Sequence, residues 1–240
     1  MKTPHKPLDI FLLIGQSNMA GRGPMNTVPA LSHPNVWMFR DGEWLPAREP
    51  LHTDKPDIAG VGLGMSFAVT LASKESEKGV GLLPCAVGGT RLERWLPGAD
   101  LYEHAVSVTR QALSSGTPRG ILWHQGEGDA TEEELAESYG ERLSRTIAGL
   151  RKELKVPDVP FLAGELGYFL SGHESCSRFF RVVNQQLHAL EDSVKRFGCV
   201  SAAELTDHGD SLHFDSASLR EFGRRYAYEY ERNVNTCCQL

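Results

Sequence analysis

A three-layer α/β/α sandwich built on a five-stranded parallel sheet, in one domain, is the fold class this chain predicts. Three observations predict it. Five apolar runs, at residues 8–14, 80–86, 120–124, 159–164 and 198–203, are continuous rather than alternating. Strands covered on both faces read that way. Helix-length stretches separate them, at 62–76, 101–114, 131–154, 178–197 and 216–232, and repeated strand–helix alternation implies right-handed crossovers with helices on both faces. The chain has 240 residues and is 40% hydrophobic, enough to close one sizeable core.

The polar start, Met1-Lys2-Thr3-Pro4, leads into the first strand. That strand's apolar run is too short for a membrane span or a signal-peptide core, and no small-residue cleavage site follows, so a cytoplasmic protein is expected. Residues 22–60 break the pattern. They contain Val36-Trp37-Met38-Phe39-Arg40, then Asp41-Gly42, then Glu43-Trp44-Leu45. Asp-Gly between two aromatic-bearing runs signals a hairpin. The rest is rich in Pro and Gly, and reads as a loop insertion near the mouth of a site rather than a domain. Helix 131–154 carries Leu135, Tyr139, Leu143, Ile147 and Leu150 at helical spacing, with Thr131 and Glu134 placed as a capping box. Asp215 reads as the N-cap of the last helix. No repeat, low-complexity segment or linker interrupts the chain.

The net charge of -6, with no Lys/Arg run, argues against a nucleic-acid binder. The five cysteines, Cys85, Cys176, Cys199, Cys237 and Cys238, are odd in number and lack CxxC spacing. They suggest neither a disulfide framework nor a zinc knuckle. Cys85 and Cys199 sit in strand runs, where free cysteine acts as a small hydrophobe.

Three segments at strand ends carry chemistry. They are Gly15-Gln16-Ser17-Asn18-Met19-Ala20-Gly21, Trp123-His124-Gln125-Gly126-Glu127 and Asp210-Ser211-Leu212-His213. Strand ends of an open α/β sheet converge on one crevice. There the segments assemble a serine, amide groups, an acid and a histidine, the parts of a serine esterase. Ser17 after a strand is lifted out of the sheet beside N–H groups that can hold developing negative charge; it also fits a helix N-cap. Gly88-Gly89-Thr90 lets backbone approach a substrate, or makes an ordinary turn. Gln125 offers a side-chain amide, or bonds its own loop. Around Asp210 and His213, Asp207 and Asp215 are alternative acids.

These blocks resemble the SGNH hydrolases, in the variant seen in carbohydrate esterase family 6 and in sialate O-acetylesterase-like domains. The matches run in order from residue 15 to residue 213, with Trp95 following the Gly88-Gly89-Thr90 block. The resemblance implies Ser17 as nucleophile, His213 as base and Asp210 as its partner. It implies an oxyanion hole made by the Ser17 N–H, the Gly89 N–H and Gln125. Gln125 stands where the superfamily name expects Asn, as in the family 6 type. The implied activity is removal of O-acetyl groups from carbohydrate, on acetylated xylan fragments or on O-acetylated sialic acid, with no cofactor, nucleic acid or membrane partner.

Further residues flank the expected crevice. Trp95 offers a flat face for a sugar ring, while Trp37 and Trp44 read as core. Arg22, Arg91 and Arg94 are placed to hold a substrate carboxylate, Arg91 foremost. Glu127 is expected to orient Gln125 or its loop, with His124 shaping the site beside it. His124, Glu127, Asp129, His208 and His213 can be written as a metal cluster, but none has helical ligand spacing, and no metal is expected. Two other classes compete with the esterase: a metal-dependent hydrolase and a non-catalytic carbohydrate-binding protein.

Overall fold

Both faces of the first strand are covered, which is why its sequence is apolar at nearly every position. The computed structural model describes residues 4–74, 77–176 and 178–235. In β1 (Leu8–Gly15), Leu8, Ile10, Leu12 and Ile14 enter one core cluster while Phe11 and Leu13 enter another. Each such side chain, fully buried, contributes roughly 1.5–3 kcal/mol relative to exposure.

The elements after β1 are α1 (Ser17–Ala20), β2 (Val36–Arg40), β3 (Glu43–Pro46), α2 (Leu63–Ala72), β4 (Gly79–Pro84), α3 (Asp100–Ala112) and β5 (Gly116–His124). Next come α4 (Glu133–Glu137), α5 (Tyr139–Glu153), β6 (Phe161–Gly164), α6 (Phe180–Ser193), β7 (Phe197–Val200) and α7 (Ser216–Asn235). The sheet order is β3-β2-β4-β1-β5-β6-β7. Residues of α3, α5 and α6 share a core with one face of β1, and residues of α2 and α7 with the other. β1 therefore lies where the winding reverses: α2 leads to β4 on one side of it, and α3 leads across to β5 on the other. In open α/β sheets that is where a ligand crevice forms.

The α/β/α fold is as expected, but the sheet has seven strands rather than five. The hairpin at 36–46 forms, with Asp41 and Gly42 both at positive φ, yet it is not an outlying loop. β2 pairs parallel with β4, Val36 opposite Val80 and Met38 opposite Leu82, and β3 closes the edge antiparallel. The reason lies in β2 itself: Trp37 and Phe39 fill one core while Val36 and Met38 fill the other. A strand buried on both faces has to join the sheet.

The helix expected over 131–154 starts at Glu133 and is broken at Ser138. Thr131 does not cap it, because its hydroxyl donates to the Gly128 carbonyl instead. Asp215 does act as a cap, its Oδ1 accepting from the Ser218 N–H at 2.7 Å. Cys85, Cys176 and Cys199 are free and buried; burial pushes the Cys85 thiol up to about 12. Cys237 and Cys238 lie outside the described residues, as do positions 75 and 76 at the end of the helix expected over 62–76. Among the described residues no helix is long and apolar enough to cross a membrane.

Candidate active site

β1 delivers the serine. Its last residue, Gly15, sits so close to β5 that a Cβ there would lie 2.1 Å from the His124 carbonyl oxygen, so the close approach requires glycine. The Gln16 N–H donates to that same oxygen at 2.9 Å, and Ser17 then opens α1. As the first residue of the helix, Ser17 has an N–H without an intrahelical acceptor.

The third segment meets it from the far end of the chain. Asp210 Oδ1 accepts from the Leu212 and His213 N–H groups at 2.9 and 2.8 Å. Asp210 Oδ2 faces His213 Nδ1 at 2.6 Å, and His213 Nε2 faces Ser17 Oγ at 3.0 Å. A carboxylate only accepts, so Nδ1 carries the proton and Nε2 accepts from the serine hydroxyl. Partial burial opposes ionisation of Asp210. The His213 N–H, its imidazole and the Leu212 N–H outweigh that and hold the carboxyl below its usual range. The rival acids have other work: Asp215 caps α7, and Asp207 Oδ2 accepts from the Gly209 and Ser211 N–H groups.

Asn18, which the sequence reading left unassigned, ties these segments together. Its Nδ2 donates to the Leu212 carbonyl at 3.1 Å and to Glu127 Oε1 at 2.5 Å, and its Oδ1 accepts from the Phe214 N–H at 3.1 Å. The residues on both sides of His213 are thereby fastened beside Ser17. Glu127 thus holds Asn18, not Gln125. His124, buried between the rings of Phe214 and Phe222, brings Nε2 within 3.5 Å of the Glu127 carboxylate. Burial works against ionisation of Glu127, but His124 and Asn18 outweigh it and lower its pKa.

The glycine block closes the crevice from β4. The Val87 N–H donates to the Gly15 carbonyl at 3.0 Å, which sets this loop beside the serine turn. Gly89 has φ +78, a conformation other residues adopt at a cost, and its N–H finds no acceptor among the described residues. The Gly88 N–H is held by Asp54 Oδ2 at 2.7 Å. Asp54 is itself paired with Arg22 at 2.6 Å, both side chains almost wholly buried. Burial opposes its ionisation, but Arg22 and the Gly88 N–H outweigh that and lower its pKa. The insertion at 22–60 thus supplies a support for the glycine loop.

Several expectations require correction. Gln125 is brought to the site but has 0% exposure, and its Nε2 lies within bonding distance of Asp129 Oδ2, the Thr90 carbonyl and Gln16 Oε1. A buried and occupied amide is not reached by a substrate oxygen; it anchors the Thr90 loop instead. Trp95, at 1% exposure, packs edge-on against Trp123 and donates to Thr90 Oγ1. It is core beneath the loop, not a platform for a sugar. Trp37 is buried and Trp44 packs on the core as expected. Arg22 is sealed in its buried pair with Asp54, whereas Arg91 and Arg94 pair with Glu132 and Asp100 at exposed positions. Of the residues written as a metal cluster, His124, Glu127 and Asp129 do not converge on one. Gln16 was also missed. Its Oε1 faces the Gly126 and Gly128 N–H groups at 3.4 and 3.2 Å, linking the serine turn to the loop after β5.

A cleft of about 790 Å³ lies at the opposite end of the sheet, lined by Pro7, Trp44 and Thr117.

Comparisons with known proteins show the fold and the family. A probable carbohydrate esterase of Arabidopsis thaliana is 33% identical over 253 residues, spanning 97% of this chain and 94% of that protein. The X-ray structure of a protein from Arabidopsis thaliana superposes with a TM-score of 0.86 at 31% identity, covering 95% of this chain and 99% of that one. The crystal structure of NanS shares the fold, with a TM-score of 0.79 at 18% identity over 100% of both chains. The family model described as "Carbohydrate esterase, sialic acid-specific acetylesterase" matches residues 7–232. Nearly the whole chain is covered, and the protein belongs to that carbohydrate esterase family.

Proposed function

We propose that the protein removes O-acetyl groups from carbohydrate by a Ser-His-Asp mechanism. The observation that carries this reading is the unbroken relay from Asp210 Oδ2 to His213 Nδ1 at 2.6 Å and from His213 Nε2 to Ser17 Oγ at 3.0 Å. Ser17 Oγ attacks the ester carbonyl carbon while its proton passes to His213 Nε2. Asp210 holds the ring in the reactive tautomer and stabilises the imidazolium. The N–H groups of Ser17 and Gly89 are the donors proposed for the oxyanion. His213 returns the proton to the departing sugar hydroxyl, and water then hydrolyses the acetyl-serine.

The test compares acetate release by the wild type and by Ser17→Ala. The substrates are an activated aryl acetate, an acetylated xylo-oligosaccharide and an O-acetylated sialic acid, each with and without chelator. Loss of a triad nucleophile costs about 10⁶ in kcat. A collapse of that order, indifferent to chelator, is expected. The relative rates on the two sugar esters place the substrate. Turnover that survives Ser17→Ala overturns the serine mechanism in favour of a metal-dependent hydrolase. Sugar binding without hydrolysis by the wild type favours a binding protein.

A further inference from the structure

We propose that His208, Asp210 and His213 form a binding site for a divalent transition metal of the zinc class, and that filling it switches the enzyme off. The inhibitory part rests on the triad reading above.

His208 has no part in the triad, yet it lies against it. Its ring is parallel to that of His213 within 9°, with centroids 5.8 Å apart. Its Nε2 lies 3.4 Å from Asp210 Oδ2, the oxygen that also faces His213 Nδ1 at 2.6 Å. Each of the three residues offers one ligand atom, and these atoms all lie within 4.8 Å of one another. The loop that presents them is fastened from within. Asp207 Oδ2 accepts from the Gly209 and Ser211 N–H groups, and Asp210 Oδ1 accepts from those of Leu212 and His213. That leaves Asp210 Oδ2 directed at both imidazoles.

Two imidazoles and one carboxylate are a donor set for zinc and its neighbours, and a poor one for magnesium or calcium, which take oxygen. Tetrahedral zinc at about 2.0–2.1 Å from each ligand sets those atoms about 3.3 Å apart. The 3.4 Å separation of His208 Nε2 from Asp210 Oδ2 already meets that spacing. The short contact of Asp210 with His213 opens by side-chain rotation as the ion enters. The side chains of His208 and Asp210 are 29% and 36% exposed, so the ion arrives from solvent and water completes its shell.

The consequence for the chemistry follows from proton placement. The metal takes the lone pair of His213 Nδ1. The neutral imidazole then carries its proton on Nε2, so no proton is lost from the ring. A protonated Nε2 cannot accept the Ser17 proton, and the serine is no longer activated.

The experiment uses the full chain, stripped with chelator and dialysed. Zinc, nickel and magnesium chloride are titrated into aryl acetate assays of the wild type and of His208→Gln, each normalised to its own metal-free rate. Calorimetry follows zinc binding to Ser17→Ala and to Ser17→Ala/His208→Gln, which needs no turnover. We expect micromolar zinc to inhibit the wild type, chelator to restore it, and magnesium to do nothing. Loss of His208 raises the half-inhibitory zinc concentration by about tenfold or more. Ser17→Ala binds one zinc per chain, and the double variant loses that affinity. A wild type indifferent to zinc, or His208→Gln inhibited equally, overturns the inference. Zinc binding by Ser17→Ala in a protein whose turnover ignores Ser17 overturns the triad reading and leaves the site standing.

Discussion

Asp54 lies 34 positions before the glycine it holds, so no local pattern marks it. Its carboxylate joins Arg22 to the Gly88 N–H and so sets where the Gly89 N–H points. Misplacing a catalytic group by about 1 Å can cost 10² in rate. Asp54→Ala is therefore expected to lower kcat on an aryl acetate by about 10²-fold with little change in KM. Asp54→Asn keeps an oxygen for Gly88 and should lose much less. Removing one partner of a buried ion pair costs about 3–5 kcal/mol, so thermal melts must show that the variants are folded at the assay temperature. A folded Asp54→Ala with wild-type kcat would sink the positioning role. At this scale the meeting of Ser17, His213 and Asp210 was legible in the sequence because each lies in a strand-end segment. Gln125 and Trp95 were misread for a common reason. Residue type says what a side chain can offer, but not whether a substrate can reach it.

The insertion is the element whose meaning changed most. Its ends are zipped, with Gly23 and Val61 exchanging backbone hydrogen bonds. Glu49 binds Arg220 of α7, and Leu51 enters the core under α2. Between its anchors sits His52, buried at 2% exposure. Burial lowers its pKa from 6.5 to about 4; Asp54 and the backbone at Leu13 and Ala20 pull the other way, and Arg22 adds to the lowering. The sign of the pH effect follows. Below about 6.5 the unfolded chain takes up a proton that the folded chain refuses until about 4, so stability falls as pH drops through that interval. Urea unfolding of the wild type and of His52→Leu at pH 7 and at pH 5 checks this, the pair cancelling the contribution of the other titrating groups. The variant should lose less stability on acidification; an equal loss would show that His52 does not drive it. The hairpin itself was readable from Asp41-Gly42. Its membership of the sheet was not, because β2 needs β4 as a partner, and pairing between residues 44 positions apart leaves no local signature.

For the whole molecule, two cores back one sheet, and α7 links the second core to the end of the sheet that carries Ser17. The Phe222 ring lies 5.4 Å from His124, 5.1 Å from Phe214 and 5.1 Å from Tyr226, while the Tyr226 hydroxyl donates to the Trp123 carbonyl. Phe222→Ala is expected to cost about 3–5 kcal/mol through the cavity it leaves. In a chain of this length that lowers Tm by about 10 °C, which calorimetry would read. A shift within error would mean that the site's floor collapses around the gap or draws its support elsewhere. The amino-acid order carried the layer architecture, the sites of turning and the three segments whose Ser17, His213 and Asp210 come together. Those follow from short-range facts: which runs avoid water on both faces, where Gly and Asp permit a turn, and the rule that parallel strands end together. Which arginine meets which carboxylate, which amide keeps free surface and which tryptophan is sealed followed only once distant segments met. Arg220 and Glu49 are 171 positions apart, and Asn18 and Leu212 are 194. Burial and ion pairing are set by neighbours in space, and a local pattern does not encode them.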